Sequence, residues 1–125
     1  LGRLQHGLLR TIEELGIPAH TRPTQHGIWG RTGQMAFFGV AVRDWIAYHG
    51  AFLNVAPSMG LFRLIQPDLH PSPRITCLMA ECRKPVRMTS VRAELVRLLA
   101  GAFGCDRYHL HTGHPLLGGP VRPRR

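Results

Sequence analysis

Residues 27–55, GIWGRTGQMAFFGVAVRDWIAYHGAFLNV, decide the fold of this chain. The stretch consists of short runs rich in Val, Ile, Phe, Tyr and Trp that are separated by glycines, a texture typical of an antiparallel sheet. It predicts three or four strands. One hairpin turn is expected between Gly30 and Gly33, and a second turn at Gly50.

Apolar residues recur at helical spacing on both sides of this stretch. Residues 1–16, LGRLQHGLLRTIEELG, carry Leu and Ile on one face and charged residues on the other, which predicts an amphipathic helix closed by its final glycine. Residues 85–103 predict a second helix, with Thr89 or Ser90 as the N-cap and Gly104 at the end. The expected fold class is α/β of the α+β kind, an antiparallel or mixed sheet flanked by an N-terminal and a C-terminal helix.

The remaining segments are rich in proline and glycine. Residues 57–73 carry four prolines and predict an irregular loop with one helical turn around residues 61–65. Residues 113–125 are basic, end in VRPRR and predict a disordered tail. We therefore expect one partial domain over residues 1–112, followed by the tail.

Composition argues against several classes of protein. Apolar residues make up 44% of the chain, yet no apolar run reaches the roughly 18 residues of a membrane span, and the N-terminus lacks a signal-peptide pattern. Three cysteines without C-x-x-C spacing argue against a disulfide framework and against a zinc finger. These features predict a soluble, cytoplasmic chain with reduced thiols, no cofactor and no contact with a membrane.

The formal charge is +9 and comes almost entirely from arginine, since Lys84 is the only lysine. Such a charge attracts nucleic acid or an acidic protein. The arginines are spread singly along the chain, however, and aromatic residues are too sparse for base-stacking platforms. Solvated arginines are therefore favoured over nucleic-acid binding, which stays an alternative.

Two clusters offer chemistry on their own. Cys105, His109, His111 and His114 fall within ten residues and bear zinc-binding side chains, but their spacing matches no zinc motif, and exposed histidines are favoured over a metal site. We expect no bound metal.

Cys77, in RITCLM, is a second candidate because a thiol becomes a nucleophile when a base lies near it, and His49 or His70 could serve as that base. A buried and inert cysteine is the favoured interpretation, because an apolar setting raises a thiol pKa.

A family resemblance joins these segments. Residues 27–55, followed by FRLIQPDLHPSPRITCL at residues 62–78, closely resemble the C-terminal half of the lipoyl(octanoyl) transferases of lipoate synthesis, which have the biotin/lipoate protein ligase fold. The family signature runs G-[IV]-W, a K-I-A-A-I-G-V-like strand, W-x-x-x-H-G-x-A-L-N-[VI], F-x-x-I-x-P-C-G and V-T-S-L. The matching residues are Gly27, Ile28, Trp29, Ala36, Gly39, Val40, Trp45, His49, Gly50, Leu53, Asn54, Val55, Phe62, Ile65, Pro67, Thr76 and Leu78.

The resemblance implies acyl transfer. In that family a cysteine thiolate takes octanoyl from acyl carrier protein and passes it to a lysine of a lipoyl domain, while a neighbouring lysine lowers the thiol pKa and stabilises negative charge. Ungapped alignment puts the family cysteine on Asp68 and the family lysine on Gln34. The same alignment implies substrate binding by His49, Gly50 and Asn54.

Both catalytic side chains are therefore replaced. A carboxylate that attacks a thioester gives a water-sensitive anhydride, and a neutral amide cannot stabilise a thiolate, although the Gln34 amide can donate a hydrogen bond to the Asp68 carboxylate. Leu69 replaces the glycine that follows the family cysteine, and Cys77 falls at the serine of V-T-S-L, which does not make it a shifted nucleophile. The R-G-G and H-G-P-G-Q motifs of the family's N-terminal half are absent from this sequence.

These departures predict an octanoyltransferase-like pseudoenzyme that is inactive alone. One alternative is a non-catalytic relative that binds acyl carrier protein, a lipoyl domain or a partner chain supplying the missing N-terminal half. A further alternative is a basic nucleic-acid-associated protein.

Overall fold

The computed structural model describes residues 1–62, 64, 74–82 and 84–109. In chain order the elements are α1 (Gly2–Glu14), β1 (His20–Arg22), β2 (Gln25–Trp29), β3 (Gln34–Arg43), β4 (Ile46–Leu53), α2 (Met59–Phe62), α3 (Leu78–Glu81) and α4 (Met88–Phe103). The predicted mixed α/β class is confirmed. No helix within the described ranges is long and apolar enough to cross a membrane.

Among the described residues the sheet has four antiparallel strands in the order β1-β2-β3-β4, so each strand pairs with its neighbour in sequence. The predicted turn between β2 and β3 is confirmed, since the Gly30 N–H donates to the Gly33 carbonyl at 2.9 Å. The turn predicted at Gly50 is wrong. Gly50 lies inside β4, directly opposite Gly39 of β3.

The chain instead reverses at Asp44 and Trp45, between the paired residues Arg43 and Ile46. Their φ angles are 51° and 63°, and positive φ at both central residues is the requirement of a two-residue type I′ hairpin loop. Neither residue is a glycine, so a turn prediction based on glycine positions does not detect this loop.

The core lies where the two long helices meet the first part of the sheet. Helix α1 contributes Leu8 and Ile12 at a four-residue spacing, and α4 contributes Val91. The other buried core residues are Ile17, Ile28, Met35, Ala36, Val55 and Leu78. The helices approach closely at Gly7, where an added Cβ would lie 2.9 Å from Leu99 Cδ2. The predicted helices therefore bury their apolar faces against each other as well as against the sheet.

Both long helices end as predicted. Gly16 has a φ of 75°, and the N–H groups of Gly16 and Ile17 donate to the carbonyls of Glu13 and Ile12 at 2.8 and 3.2 Å, the double bond of a Schellman motif. Gly104 has a φ of 67° after α4. A glycine is favoured at both ends because an L side chain is strained at positive φ.

The start of α4 differs from the prediction. Its N-cap is Arg87, with extended backbone and no side-chain capping bond, so the predicted caps Thr89 and Ser90 lie inside the helix. The apolar periodicity locates the helix body but leaves its first turn undetermined.

Three predictions concern residues that lie partly or wholly outside the described ranges. Helix α2 supplies part of the helical turn expected around residues 61–65. Asp68, Leu69 and His70 lie outside the described residues, as does the predicted tail. The division into residues 1–112 and 113–125 therefore stays a prediction.

Candidate functional site

Gln34, the position of the family lysine, begins β3 and is 5% exposed. Its N–H donates to the Arg74 carbonyl at 2.7 Å, and its carbonyl accepts from the Thr76 N–H at 2.9 Å. These two bonds form a parallel bridge between Gln34 and Ile75. The end of the segment that contains the I-x-P-C-G-like stretch is thus fixed to the sheet at Gln34.

The Gln34 side chain is held by the sheet itself. Its Nε2 donates to the Ala36 carbonyl at 3.1 Å, and a Cβ added to Gly27 would lie 2.2 Å from that nitrogen. Gly27 therefore leaves the space that the amide fills. Asp68, the partner predicted for this amide, is outside the described part of the chain.

Asn54 lies beside Gln34 and is also buried. Its N–H donates to the Met35 carbonyl at 2.9 Å, and its Nδ2 donates to the Thr76 carbonyl at 3.2 Å. Thr76 is consequently held from two sides, by the Gln34 carbonyl and by the Asn54 amide. The structure thus brings together Gln34 and Asn54, two of the site residues predicted from the sequence.

His49 and Gly50 lie elsewhere on the sheet. His49 pairs with Val40, six residues beyond Gln34 along β3, a separation of roughly 20 Å at about 3.3 Å per residue. His49 is exposed, has a φ of 68°, and its ring centroid is 4.7 Å from that of Tyr48. The structure does not place this pair of residues at the Gln34–Thr76 junction.

Sequence analysis did not identify the buried side chain that accepts the most hydrogen bonds in the described region. Glu81, the last residue of α3, is 3% exposed. Its carboxylate accepts the backbone N–H groups of Arg31 and Thr32 at 2.8 and 3.0 Å, the Thr76 hydroxyl at 3.2 Å and the Thr32 hydroxyl. Arg31 Nε lies 3.7 Å from the same carboxylate.

The hydrogen bonds keep Glu81 ionised. Burial alone would raise the pKa of Glu81, but the bonds from the Thr32 hydroxyl, the two backbone amides and Thr76 outweigh it and lower the pKa below 4.5. A Cβ on Gly30 would lie 2.7 Å from the Glu81 Cδ atom, so the turn needs a glycine there. The carboxylate ties the β2–β3 turn to the segment that bridges Gln34.

One signal in the sequence does point to Glu81. It is the only charged residue in the run TCLMAEC, residues 76–82, and a carboxylate among apolar residues is buried only when it finds partners. The partners themselves lie up to 50 residues away along the chain, where no local pattern indicates them.

The cysteines and histidines considered as a nucleophile or as metal ligands do not form a cluster among the described residues. Cys77 is buried, as predicted, whereas Cys82 is half-buried and Cys105 is exposed. His111 and His114 lie outside the described residues. Within residues 1–62, 64, 74–82 and 84–109, no group of three His, Cys, Asp or Glu side chains is arranged to hold a metal ion.

The four-stranded antiparallel sheet and its helices are consistent with a partial domain of the biotin/lipoate protein ligase-like class. Sequence comparison gives the family. The chain is 38% identical to an octanoyltransferase of Geobacter metallireducens over 110 residues, which is 82% of this chain and 50% of the relative. It is thus a partial-length relative of the octanoyltransferases, and the predicted resemblance is confirmed.

Two further relatives give the same result. Identity is 39% to an octanoyltransferase of Citrifermentans bemidjiense, over 64% of this chain and 43% of the relative. It is 31% to an octanoyltransferase of Synechococcus sp. strain JA-3-3Ab, over 83% of this chain and 40% of the relative. The chain spans about half the length of the curated relatives it matches, or less. No family model matches the chain.

Proposed function

We propose that this chain is a catalytically silent half of an octanoyltransferase. By itself it does not move octanoyl from acyl carrier protein to the lysine of a lipoyl domain in the cytoplasm, and it retains the architecture on which that transfer takes place. The observation that carries this proposal is the buried Gln34 amide, which donates to the Ala36 carbonyl at 3.1 Å.

The chemistry of the transfer explains why this observation matters. Acyl transfer through the protein needs a thiolate that attacks the thioester, and a nearby cation that favours the thiolate. The alignment places Asp68 and Gln34 at those two positions. A carboxylate lacks the nucleophilicity of a thiolate, and an amide carries no charge.

The geometry around Gln34 favours a structural role. Its amide points to a backbone carbonyl of its own strand, and its backbone holds residues 74–76 against the sheet. Asn54 and Glu81 support the same segment through Thr76. These contacts stabilise the fold whether or not a reaction occurs. Such contacts are expected in a domain that keeps the family's structure without its catalytic side chains.

The test is an acylation assay with the chain, octanoyl acyl carrier protein and a lipoyl domain. Intact-mass measurement should find no octanoyl group on the chain and none on the lipoyl domain. The Geobacter metallireducens octanoyltransferase, run beside it, should acylate the lipoyl domain and so validate both substrates. Octanoyl on this chain would overturn the proposal, and its loss in Cys77→Ser or in Asp68→Asn would identify the acylated side chain.

A further inference from the structure

A cavity of about 440 Å³ lies beside the Glu81 carboxylate. The residues that line it come from the end of α1, the β2–β3 turn and the end of α3. Gln34 is not among them. Pockets that hold small molecules usually measure about 300–1,000 Å³, so this cavity has the size of a ligand site.

Hydrogen bonds fix the position of its walls. The Gly16 N–H donates to the Glu13 carbonyl at 2.8 Å and closes the end of α1. The N–H groups of Arg31 and Thr32 donate to the Glu81 carboxylate at 2.8 and 3.0 Å, which ties the β2–β3 turn to α3. A ligand therefore meets elements that are already in place, and little has to be ordered when it binds.

The charged side chains of the lining are Arg31, Lys84 and Glu81. Glu81 is 3% exposed and already accepts four hydrogen bonds, so it has little capacity left for a cation. Arg31 faces it only through Nε, at 3.7 Å, and its side chain is 61% exposed. In the described part of the chain Lys84 has no ion-pair partner. The lining thus carries an excess of one positive charge.

The rest of the lining is mostly apolar. Leu15 and Pro18 contribute carbon surface, and the half-buried Cys82 lies in the same wall. Small-molecule sites combine such walls with a few polar groups that fix the orientation of the ligand. The composition therefore favours a molecule with an apolar body and one charged end.

The charged end is best matched by a carboxylate. A guanidinium binds a carboxylate through parallel N–H···O bonds, and a lysine binds it as a compact positive charge. One negative charge balances the excess positive charge of the lining. A phosphate monoester carries roughly −1.5 to −2 at pH 7, so part of its charge would be left to repel the Glu81 carboxylate.

We propose that this cavity binds a small organic carboxylate. The carboxylate lies between Arg31 and Lys84, and the apolar body contacts Leu15 and Pro18. The site is distinct from the Gln34–Thr76 junction, and the inference does not depend on the proposed function.

The first experiment titrates the full chain with benzoate and follows backbone amides by ¹H–¹⁵N NMR. Saturable shifts are expected at Gly16, Thr32 and Cys82, with a Kd of about 1 mM for so small a ligand. Benzyl alcohol, which has a similar shape and no charge, should bind about tenfold more weakly or less. Phenyl phosphate should also bind more weakly than benzoate, because its second charge faces Glu81.

Substitutions then test the two cations. Arg31→Gln and Lys84→Gln should each weaken benzoate binding by about tenfold, since each removes a charge-assisted contact. Arg31→Gln keeps the backbone N–H that bonds Glu81. Lys84→Arg keeps the charge and should retain binding to within about threefold. Arg3→Gln is the matched control, because Arg3 is exposed at the opposite end of α1 from the cavity and its loss changes the net charge equally.

Alkylation of Cys82 gives an independent measurement. It is made in Cys105→Ser, because Cys105 is exposed whereas Cys77 is buried. Benzoate at ten times its Kd should slow the reaction of Cys82 with iodoacetamide about tenfold, since only the free chain reacts.

Four results would overturn the proposal. They are the absence of saturable shifts at the cavity amides, binding of benzyl alcohol as tight as that of benzoate, tighter binding of phenyl phosphate, and unchanged alkylation of Cys82. Equal weakening in Arg3→Gln and Arg31→Gln would also contradict it, because the effect would then come from the net charge of the chain. Circular dichroism spectra of the variants should match that of the unmodified chain.

Discussion

The backbone N–H of Arg31 donates a hydrogen bond of 2.8 Å to the carboxylate of Glu81, across 50 residues of sequence. This bond joins the β2–β3 turn to the end of α3. Thr76 donates to the same carboxylate and is itself bound to Gln34 and Asn54. The position of the family lysine is therefore held by a buried network whose centre is a carboxylate.

We expect Glu81→Gln to destabilise the fold by about 2 kcal/mol, because the amide nitrogen cannot accept a backbone N–H and leaves a buried donor unpaired. Urea unfolding followed by circular dichroism measures this change. Glu13→Gln is the control, since its carboxylate faces Arg10 at 3.4 Å on the solvent side of α1 and such pairs contribute about 0–1 kcal/mol. Equal losses in the two variants would contradict the role given to Glu81.

The same carboxylate makes stability depend on pH. The pKa of Glu81 is lower in the folded state than its ordinary value of 4.5, so the fold binds the ionised form more strongly than the unfolded chain does. This contribution is complete above pH 4.5 and is lost as the pH falls through the folded-state pKa. Urea midpoints measured on a descending pH series should drop more steeply for the unmodified chain than for Glu81→Gln, and parallel curves would argue against the linkage.

Gly33→Ala should detach residues 74–76 from the sheet. A Cβ at Gly33 would lie 2.3 Å from the Arg74 carbonyl oxygen, the acceptor of the Gln34 N–H, so backbone must move at a cost of about 3 kcal/mol. Gly39→Ala is the matched control, because its nearest neighbour would be Phe52 Cε2 at 3.9 Å, an ordinary contact.

The alanine at Gly39 should be neutral or stabilising by about 0.5 kcal/mol, since it lowers the backbone entropy of the unfolded chain. Hydrogen exchange at Gln34 and Thr76 reports the bridge directly. Fast exchange of both amides is expected only in Gly33→Ala, and slow exchange there would show that the bridge tolerates a side chain.

Local patterns in the sequence predict the elements whose signals are themselves local. The amphipathic spacing of α1 and its Gly16 terminus are confirmed because both depend on residues within one or two turns. The sheet is confirmed for the same reason. Runs of β-branched and aromatic residues separated by glycines predict successive strands, and each strand pairs with its neighbour in sequence. The family is recognised from the motifs in residues 27–55 and 62–78. Hydrophobic periodicity contains no such information.

The missed features depend on residues far apart or on an uncommon backbone conformation. Glu81 acts through Arg31, Thr32 and Thr76, whose approach is set only by the finished fold. The hairpin loop at residues 44–45 has positive φ without glycine, so rules that read turns from glycine placed the turn at Gly50.

That loop supports a last prediction. Trp45 has a φ of 63° and is 99% exposed, so it bears left-handed backbone strain of about 1–2 kcal/mol while burying almost no surface. Trp45→Gly removes the strain and creates the Asp-Gly pair favoured in type I′ loops. It should raise the free energy of unfolding by about 1 kcal/mol.

Ile46→Gly tests whether this gain belongs to the loop. Ile46 is the next residue, is also exposed, and begins β4 without positive φ. Glycine within a strand costs roughly 0.5–1 kcal/mol, so the two neighbouring substitutions should move the urea midpoint in opposite directions. A loss of stability in Trp45→Gly would mean that the indole stabilises the hairpin by contacts that outweigh its strained backbone.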